Sequence, residues 1–282
     1  MKKKIVLITG YSGFIGGHLV QFLSGCENIK LLHPNSNELN LLVKEDVVEY
    51  FKLHQPDIIV HCAAVLPDSV DLNKTKYFNN ILDANIFSCA KLNKNVKVIY
   101  ISGTSVYLDS EGVVDENSAV GNSNPYIQSK IDGEEMLRNS NIEFVILRVS
   151  APFGQLQRIK TVIHKFIECA INDQPLFVYG NGERLQNFTY INDLLNAINI
   201  VISKPKIKGI FNICSDKFIT MKELAELIIN ITNSKSEIIS LKENDPDKRL
   251  HLRISNSKAK SILNWKPIFD TETGLKDMIH NK

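Results

Sequence analysis

The chain has 282 residues, 44% of them hydrophobic and 23% charged, the composition of an ordinary globular protein with one large domain or a large and a small one. Its 33 Lys and Arg nearly balance 31 Asp and Glu, and the basic residues are spread along the chain, so neither nucleic acid nor a membrane surface is an expected partner. No run reaches the roughly 18 consecutive apolar residues of a membrane span. Lys2, Lys3 and Lys4 lead into a short strand-like run rather than a secretory apolar core, so a cytoplasmic location is expected.

In chain order, short runs rich in Val and Ile at 5–9, 29–32, 58–61, 96–102 and 144–148 read as strands. Amphipathic segments at 16–23, 44–52, around 77–92 and at 125–139 read as helices between them. Strand followed by helix, repeated, is the pattern of a parallel sheet covered on both faces, because parallel neighbours need a long crossover. Beyond Pro152 the pattern loosens. A helix is expected at 159–172, a strand at 176–179 and a turn at Gly180-Asn181-Gly182; helices at 191–202 and 221–231 flank a buried strand at 210–214. The tail from Ser240 is short pieces ending in a helix from Thr273, with Trp265 as a packing anchor. The five cysteines (Cys26, Cys62, Cys89, Cys169 and Cys214) are far apart and form no C-x-x-C, and His54, His164, His251 and His280 have no Cys, Asp or Glu at ligand spacing. They read as small buried hydrophobes, with no disulfide framework and no metal site.

Two motifs carry chemistry. Gly10-Tyr11-Ser12-Gly13-Phe14-Ile15-Gly16 follows the first strand and opens the first helix. Gly10 permits the tight turn, Gly13 lets a pyrophosphate approach the backbone, and Gly16 lets the helix pack close to the sheet, its N-terminus favouring phosphate. Tyr126 and Lys130 stand four apart in Tyr126-Ile127-Gln128-Ser129-Lys130, on one face of a helix. There an ammonium can lower the phenol pKa from its usual value near ~10 and let it pass a proton at neutral pH. Alone that spacing is an exposed helix pair; downstream of the glycine loop it reads as catalytic.

With these motifs the sequence resembles the extended short-chain dehydrogenase/reductase family, in particular its nucleotide-sugar epimerase, dehydratase and ketoreductase members. The resemblance covers nearly the whole chain. It takes in Asp57-Ile58-Ile59-Val60-His61-Cys62-Ala63-Ala64, the 79–85 helix segment, Ile101-Ser102-Gly103-Thr104-Ser105-Val106-Tyr107, Arg148-Val149-Ser150-Ala151-Pro152-Phe153-Gly154, the stretch 180–193 and Asn264-Trp265-Lys266-Pro267. It implies an α/β fold, a Rossmann-type doubly wound parallel sheet with a smaller C-terminal substrate-binding lobe. The dinucleotide-binding domain is expected at 1–152 plus 188–215 and the lobe at 153–187 plus 216–282.

The activity implied is NAD(P)-dependent hydride transfer at a ring carbon of a nucleotide-linked sugar, by a 4-ketoreductase or an epimerase. Tyr126 and Lys130 are the implied proton-transfer pair. The family's Ser or Thr that holds the reacting oxygen falls at Gly103, which has no hydroxyl, so Thr104 is the substitute; the alternative is that Gly103 marks weakened catalysis. The acid pair of dehydratases is replaced by Thr104 and Ser105, which argues against elimination of water. The cofactor, NADP or NAD, is expected on Gly10, Ser12, Gly13, Phe14, Ile15, Gly16, His33, Asn40, Leu41, Ala63, Ala64, Ser102, Pro152, Tyr126 and Lys130. No acid stands between His33 and Asn37, which tilts the choice towards NADP, and Glu38-Leu39-Asn40-Leu41 resembles a segment of GDP-fucose synthases. Thr104, Ser105, Arg184, Gln186 and Arg249 are the implied substrate contacts, the arginines suited to a diphosphate by their fork of donors. A nucleotide sugar is the implied partner, a homodimer is left open as the assembly, and a non-catalytic dinucleotide sensor on the same fold is the competing reading.

Overall fold

Neighbouring residues of a strand face opposite ways, so runs with no polar alternation imply a sheet buried on both sides. The computed structural model describes residues 3–67, 71–92, 96–108, 112–157, 159–243, 245 and 252–280. Its strands β1 (Lys4–Thr9), β2 (Ile29–Leu32), β3 (Ile58–His61), β4 (Lys97–Gly103), β5 (Glu143–Val149) and β6 (Gly209–Ile213) form one sheet, ordered β6-β5-β4-β3-β1-β2, with every pair parallel. Val6, Ile8, Ile58, Val60, Ile99 and Ile101 pack on one face under helices α1 (Phe14–Leu23) and, further along, α6 (Ile191–Ser203). Leu7, Ile59, Val98 and Tyr100 fill the other face, under α2 (Lys44–His54), α3 (Leu72–Leu92) and α4 (Pro125–Arg138). This is the expected doubly wound α/β fold. The chain leaves β1 for the β2 edge and returns to β3 on β1's other side, so a crevice opens between the carboxyl ends of β1 and β3.

Helix ends follow local chemistry. Asn124 caps α4, its side-chain oxygen accepting from the Tyr126 and Ile127 amides at 2.9 and 3.4 Å, with Pro125 at the first helical position. Helix α3 starts at Leu72, before the expected 77, because the Asp71 carboxylate accepts from the amides of Asn73 and Lys74.

After β5 the chain builds α5 (Val162–Ile171), α7 (Met221–Thr232) and α8 (Thr271–His280), linked by strand pairs of two to four residues. Leu176–Tyr179 runs parallel to Ile238–Leu241, and Leu185–Asn187 lies antiparallel to Phe218–Thr220. The tail is tied back through α6: the Asp193 carboxylate accepts from the Ile268 and Phe269 amides at 2.9 and 3.0 Å, and the buried Trp265 donates its indole N–H to the Asp193 carbonyl. Among the described residues no helix is long and apolar enough to cross a membrane, and no His, Cys, Asp or Glu cluster is set to hold a metal ion.

Candidate active site

A cleft of about 760 Å³ opens at the carboxyl edge of the sheet, between the glycine loop and the pieces that follow β5. The loop is shaped by what cannot be there. Gly10 has φ +71°, and a Cβ on it would lie 2.7 Å from the Ala63 Cα; a Cβ on Gly16 would lie 2.3 Å from the Gly10 carbonyl oxygen. α1 therefore starts close against the β1 turn. Gly13 stands at its N-cap with no side-chain cap, leaving the first-turn amides pointing out of the helix end. Gly10, Ser12, Gly13, Phe14, Ile15 and Gly16 all line the cleft, as do Ala63, Ala64 and Pro152. A backbone cradle at a helix N-terminus, closed to a β-carbon at Gly10 and Gly16, fits a dinucleotide pyrophosphate.

The facing wall holds the candidate chemistry. Tyr126 lies in the first turn of α4 and Lys130 one turn on, and both line the cleft. The Lys130 ammonium sits 4.9 Å from the centroid of the Tyr100 ring. Burial first, then the Asp83 carboxylate, holds the Tyr100 phenol well above the usual range. Beside it the Cys62 thiol, pushed up to about 12 by burial against the lowering field of Lys130, is an inert thiol.

Thr104 opens a short turn of 3-10 helix directly after β4, and its buried side chain lines the same cleft as Tyr126. Gly103 has extended backbone, φ −133°, which any residue adopts, and a Cβ there would meet the Ser105 Oγ at 3.3 Å. The backbone does not require glycine at this position.

Three expected cofactor contacts do not line the cleft. His33 is exposed and tilted against the Tyr11 ring at 5.3 Å. The Asn40 side-chain oxygen accepts from the Leu42 amide, and the Leu41 carbonyl accepts from Asn85 Nδ2 at 2.8 Å. The segment closes on itself instead: Asn35 accepts from the amides of Asn37 and Glu38, and the Glu38 carboxylate accepts from the Asn35 amide at 2.8 Å. Ser102 lines the cleft floor, but its hydroxyl donates to Glu134 Oε1 at 2.6 Å, which removes that proton from cofactor binding. Ser105, Arg184 and Gln186 line the cleft, and Arg249 lies outside the described residues. Arg184 is braced on three sides, its Nε on Asp245 Oδ2 at 2.8 Å, one terminal nitrogen on Gln186 Oε1 and the other 3.2 Å from the Met221 sulfur. Sequence reasoning did not single out Gln157 and Asn187 of the lining; Asn187 adjoins Gln186 in the stretch 180–193, and that proximity was the available signal.

Mouse dTDP-D-glucose 4,6-dehydratase is 28% identical over 316 aligned positions covering 98% of this chain and 88% of that protein. The Dictyostelium discoideum protein of the same name is 29% identical over 270 positions; the match takes in 80% of this chain and spans 62% of that relative's length. Among solved structures, the UDP-glucose 4-epimerase of Thermotoga maritima, in a complex with UDP-glucose, superposes with a TM-score of 0.85 at 24% identity, over 98% of this chain and 97% of that one. The profile of the NAD dependent epimerase/dehydratase family matches residues 6–214, and the chain belongs to that family of enzymes.

Proposed function

We propose that the chain catalyses hydride transfer at a ring carbon of a nucleotide-linked sugar, as a 4-ketoreductase or an epimerase. One observation carries this reading: Tyr126, Lys130 and Thr104 share a cleft whose opposite wall is the glycine cradle at the start of α1. Family membership favours this catalytic reading over a non-catalytic sensor. A bound NADP or NAD supplies the hydride exchange; the chain's own groups do the rest. The Tyr126 hydroxyl gives or takes the proton at the sugar oxygen, the Lys130 ammonium is the cation one helical turn on in the same cleft, and the Thr104 hydroxyl holds that oxygen in place of the group missing at Gly103. Thr104 and Ser105 offer no carboxylate, so the elimination catalysed by dehydratase relatives is not supported here.

NADP binding at least as tight as NAD is supported by Glu38. The nearest acid to the end of β2 is turned back onto the Asn35 amide and does not present itself to a ribose. A division into a dinucleotide-binding part, 1–152 plus 188–215, and a substrate lobe, 153–187 plus 216–282, is part of this reading, and it is supported by β6 joining the sheet after the chain has passed 187. We place the protein in the cytoplasm, with Arg184, Gln186 and Arg249 on the nucleotide diphosphate.

The test has two parts. Mass spectrometry of ligands retained on the purified protein separates an epimerase, which must keep its dinucleotide through both half-reactions, from a reductase, which must exchange it. Tyr126→Phe removes only the proton-carrying oxygen, so turnover should fall about 10²-fold or more while dinucleotide binding survives. Full turnover in that variant would reject the assignment.

A further inference from the structure

Among the described residues Lys130 has no carboxylate partner; its ammonium rests over the face of Tyr100. Behind that ring runs a continuous buried chain. The Tyr100 hydroxyl donates to Asp83 Oδ2 at 2.7 Å, and Asp83 Oδ1 accepts from His61 Nε2 at 2.9 Å. His61 Nδ1 meets Thr9 Oγ1 at 2.7 Å, and Thr9 Oγ1 accepts from the Ala63 amide at 3.3 Å. The directions are mutually consistent. Thr9 receives the Ala63 proton and gives its own to Nδ1, which leaves the His61 proton on Nε2, facing the carboxylate.

Two features separate this chain from an ordinary satisfied core cluster. It starts at Ala63, against which the Gly10 turn is pressed, and at Thr9, which leads into that turn, and it ends on the ring that carries Lys130. It is also sealed by α4 itself: a Cβ on Gly133 would lie 2.3 Å from Asp83 Oδ2 and 2.4 Å from the Tyr100 hydroxyl. A buried carboxylate needs a counter-charge, and a phenol bonded to a carboxylate has a more electron-rich face for a cation.

The geometry assigns Asp83 as the positioning residue of Lys130: its buried negative charge, passed through the Tyr100 ring, holds the ammonium in the cleft, and His61 and Thr9 tie that charge to the dinucleotide loop. This rests on the roles proposed for Tyr126 and Lys130. The other ionisable groups acting there are Tyr126 and Glu134 of α4, Cys62 beyond β3, and Arg148 of β5, which is paired with Glu134.

The test needs no sugar substrate. Phenolate absorption is titrated in the protein and in Tyr126→Phe, the difference giving the ionisation of Tyr126, and NADP binding is measured by calorimetry. In Asp83→Asn the ammonium is no longer held, so the Tyr126 ionisation should move about one pH unit upward, a tenfold smaller phenolate fraction below it, and NADP should bind about tenfold more weakly. A background charge alone predicts the opposite sign, since removing a negative charge eases phenol ionisation, and a purely structural cluster predicts no shift; either result overturns the proposal. Tyr100→Phe keeps the ring and loses only the bond to Asp83, so a smaller upward shift is expected, and it decides the matter where Asp83→Asn does not fold. Lys130→Met separates the layers. If it raises the Tyr126 ionisation and neither Asp83→Asn nor Tyr100→Phe does, only the role of Asp83 fails; if it leaves that ionisation unmoved, the reading of Lys130 fails and this inference with it.

Discussion

The sheet domain and the pieces that follow β6 place their charges differently. In the sheet domain the decisive pair is buried: the Arg148 side chain is 2% exposed and Glu134 1%, and Arg148 donates from Nε and Nη2 to the one carboxylate, at 2.6 Å for the shorter bond. The guanidinium also lies 4.8 Å from the Tyr107 ring, whose hydroxyl donates to Asn212 on β6. Among the described residues, the pairs formed wholly within the stretch after residue 214 are exposed at least in part, as Lys217 with Asp270, Lys260 with Asp216 and Lys276 with Glu272, while Asp245 of that stretch pairs with Arg184. A buried charge that loses its partner cannot fall back on water, whereas an exposed one can. The geometry around Arg148 is therefore held by charge that water cannot replace, whereas the exposed pairs of the second region impose no such constraint.

The sharpest break of this contrast is Glu134→Gln. It leaves Arg148 buried without its counter-charge and should cost about 3–5 kcal/mol, read as a lower urea midpoint at unchanged slope. Glu272→Ala, at an exposed pair in α8, should stay within about 0.5 kcal/mol of the parent; equal losses in the two variants would erase the distinction. Next in size is Gly16→Ala. Its methyl group must displace the Gly10 carbonyl, which is backbone and cannot turn aside, so a loss of about 1–3 kcal/mol is expected together with loss of NADP binding by calorimetry.

What was legible in the sequence divides along the same line. β1, the glycine loop and α4 are written in consecutive residues: a Val/Ile run, glycines at set intervals, Asn124-Pro125 as cap and first turn. The cleft brings Tyr126 and Lys130 to those glycines because a parallel sheet aligns every strand's carboxyl end, and that alignment follows from the strand-helix alternation alone. The polar chain under Lys130 was not legible, since His61, Asp83 and Tyr100 come from three separate elements and each reads singly as an ordinary residue of its own. The second region is tied to the first by strand pairs as short as Arg253–Ile254 with Val113–Val114, too brief for periodicity to show. His33, Asn40 and Leu41 rest on the resemblance alone; they do not line the cleft, and their segment carries the closed Asn35–Glu38 turn.

Thr104 stands at the seam between the regions, which makes it a test of chemistry without a test of stability. Thr104→Val keeps the branched shape and deletes one hydroxyl, so turnover should drop about 10²-fold with the urea midpoint nearly unchanged. Gly103→Ser sharpens the result, because the extended backbone there accepts a side chain at the cost of a small shift of Ser105 Oγ. A pocket rebuilt around Thr104 gains nothing from the second hydroxyl. Unchanged turnover in Thr104→Val together with a gain in Gly103→Ser would instead mark Gly103 as the site of weakened catalysis.

The smallest effect belongs to the surface of the second region and carries a sign in pH. The Asp270 carboxyl is held down to about 2, below its ordinary 3.8: partial burial pushes it up, and the bonds from Lys217 and from the amide and hydroxyl of Thr273 outweigh that push. Because the folded value lies below the unfolded one, the stabilisation is complete above 3.8 and is lost as the pH falls through about 2. Asp270→Asn should therefore melt slightly below the parent at neutral pH, and the two melting curves should converge as the pH is lowered through that window. Lys217 is 72% exposed, so salt should shrink the neutral-pH gap as well. A gap that widened on acidification would show that Asp270 acts through something other than its charge.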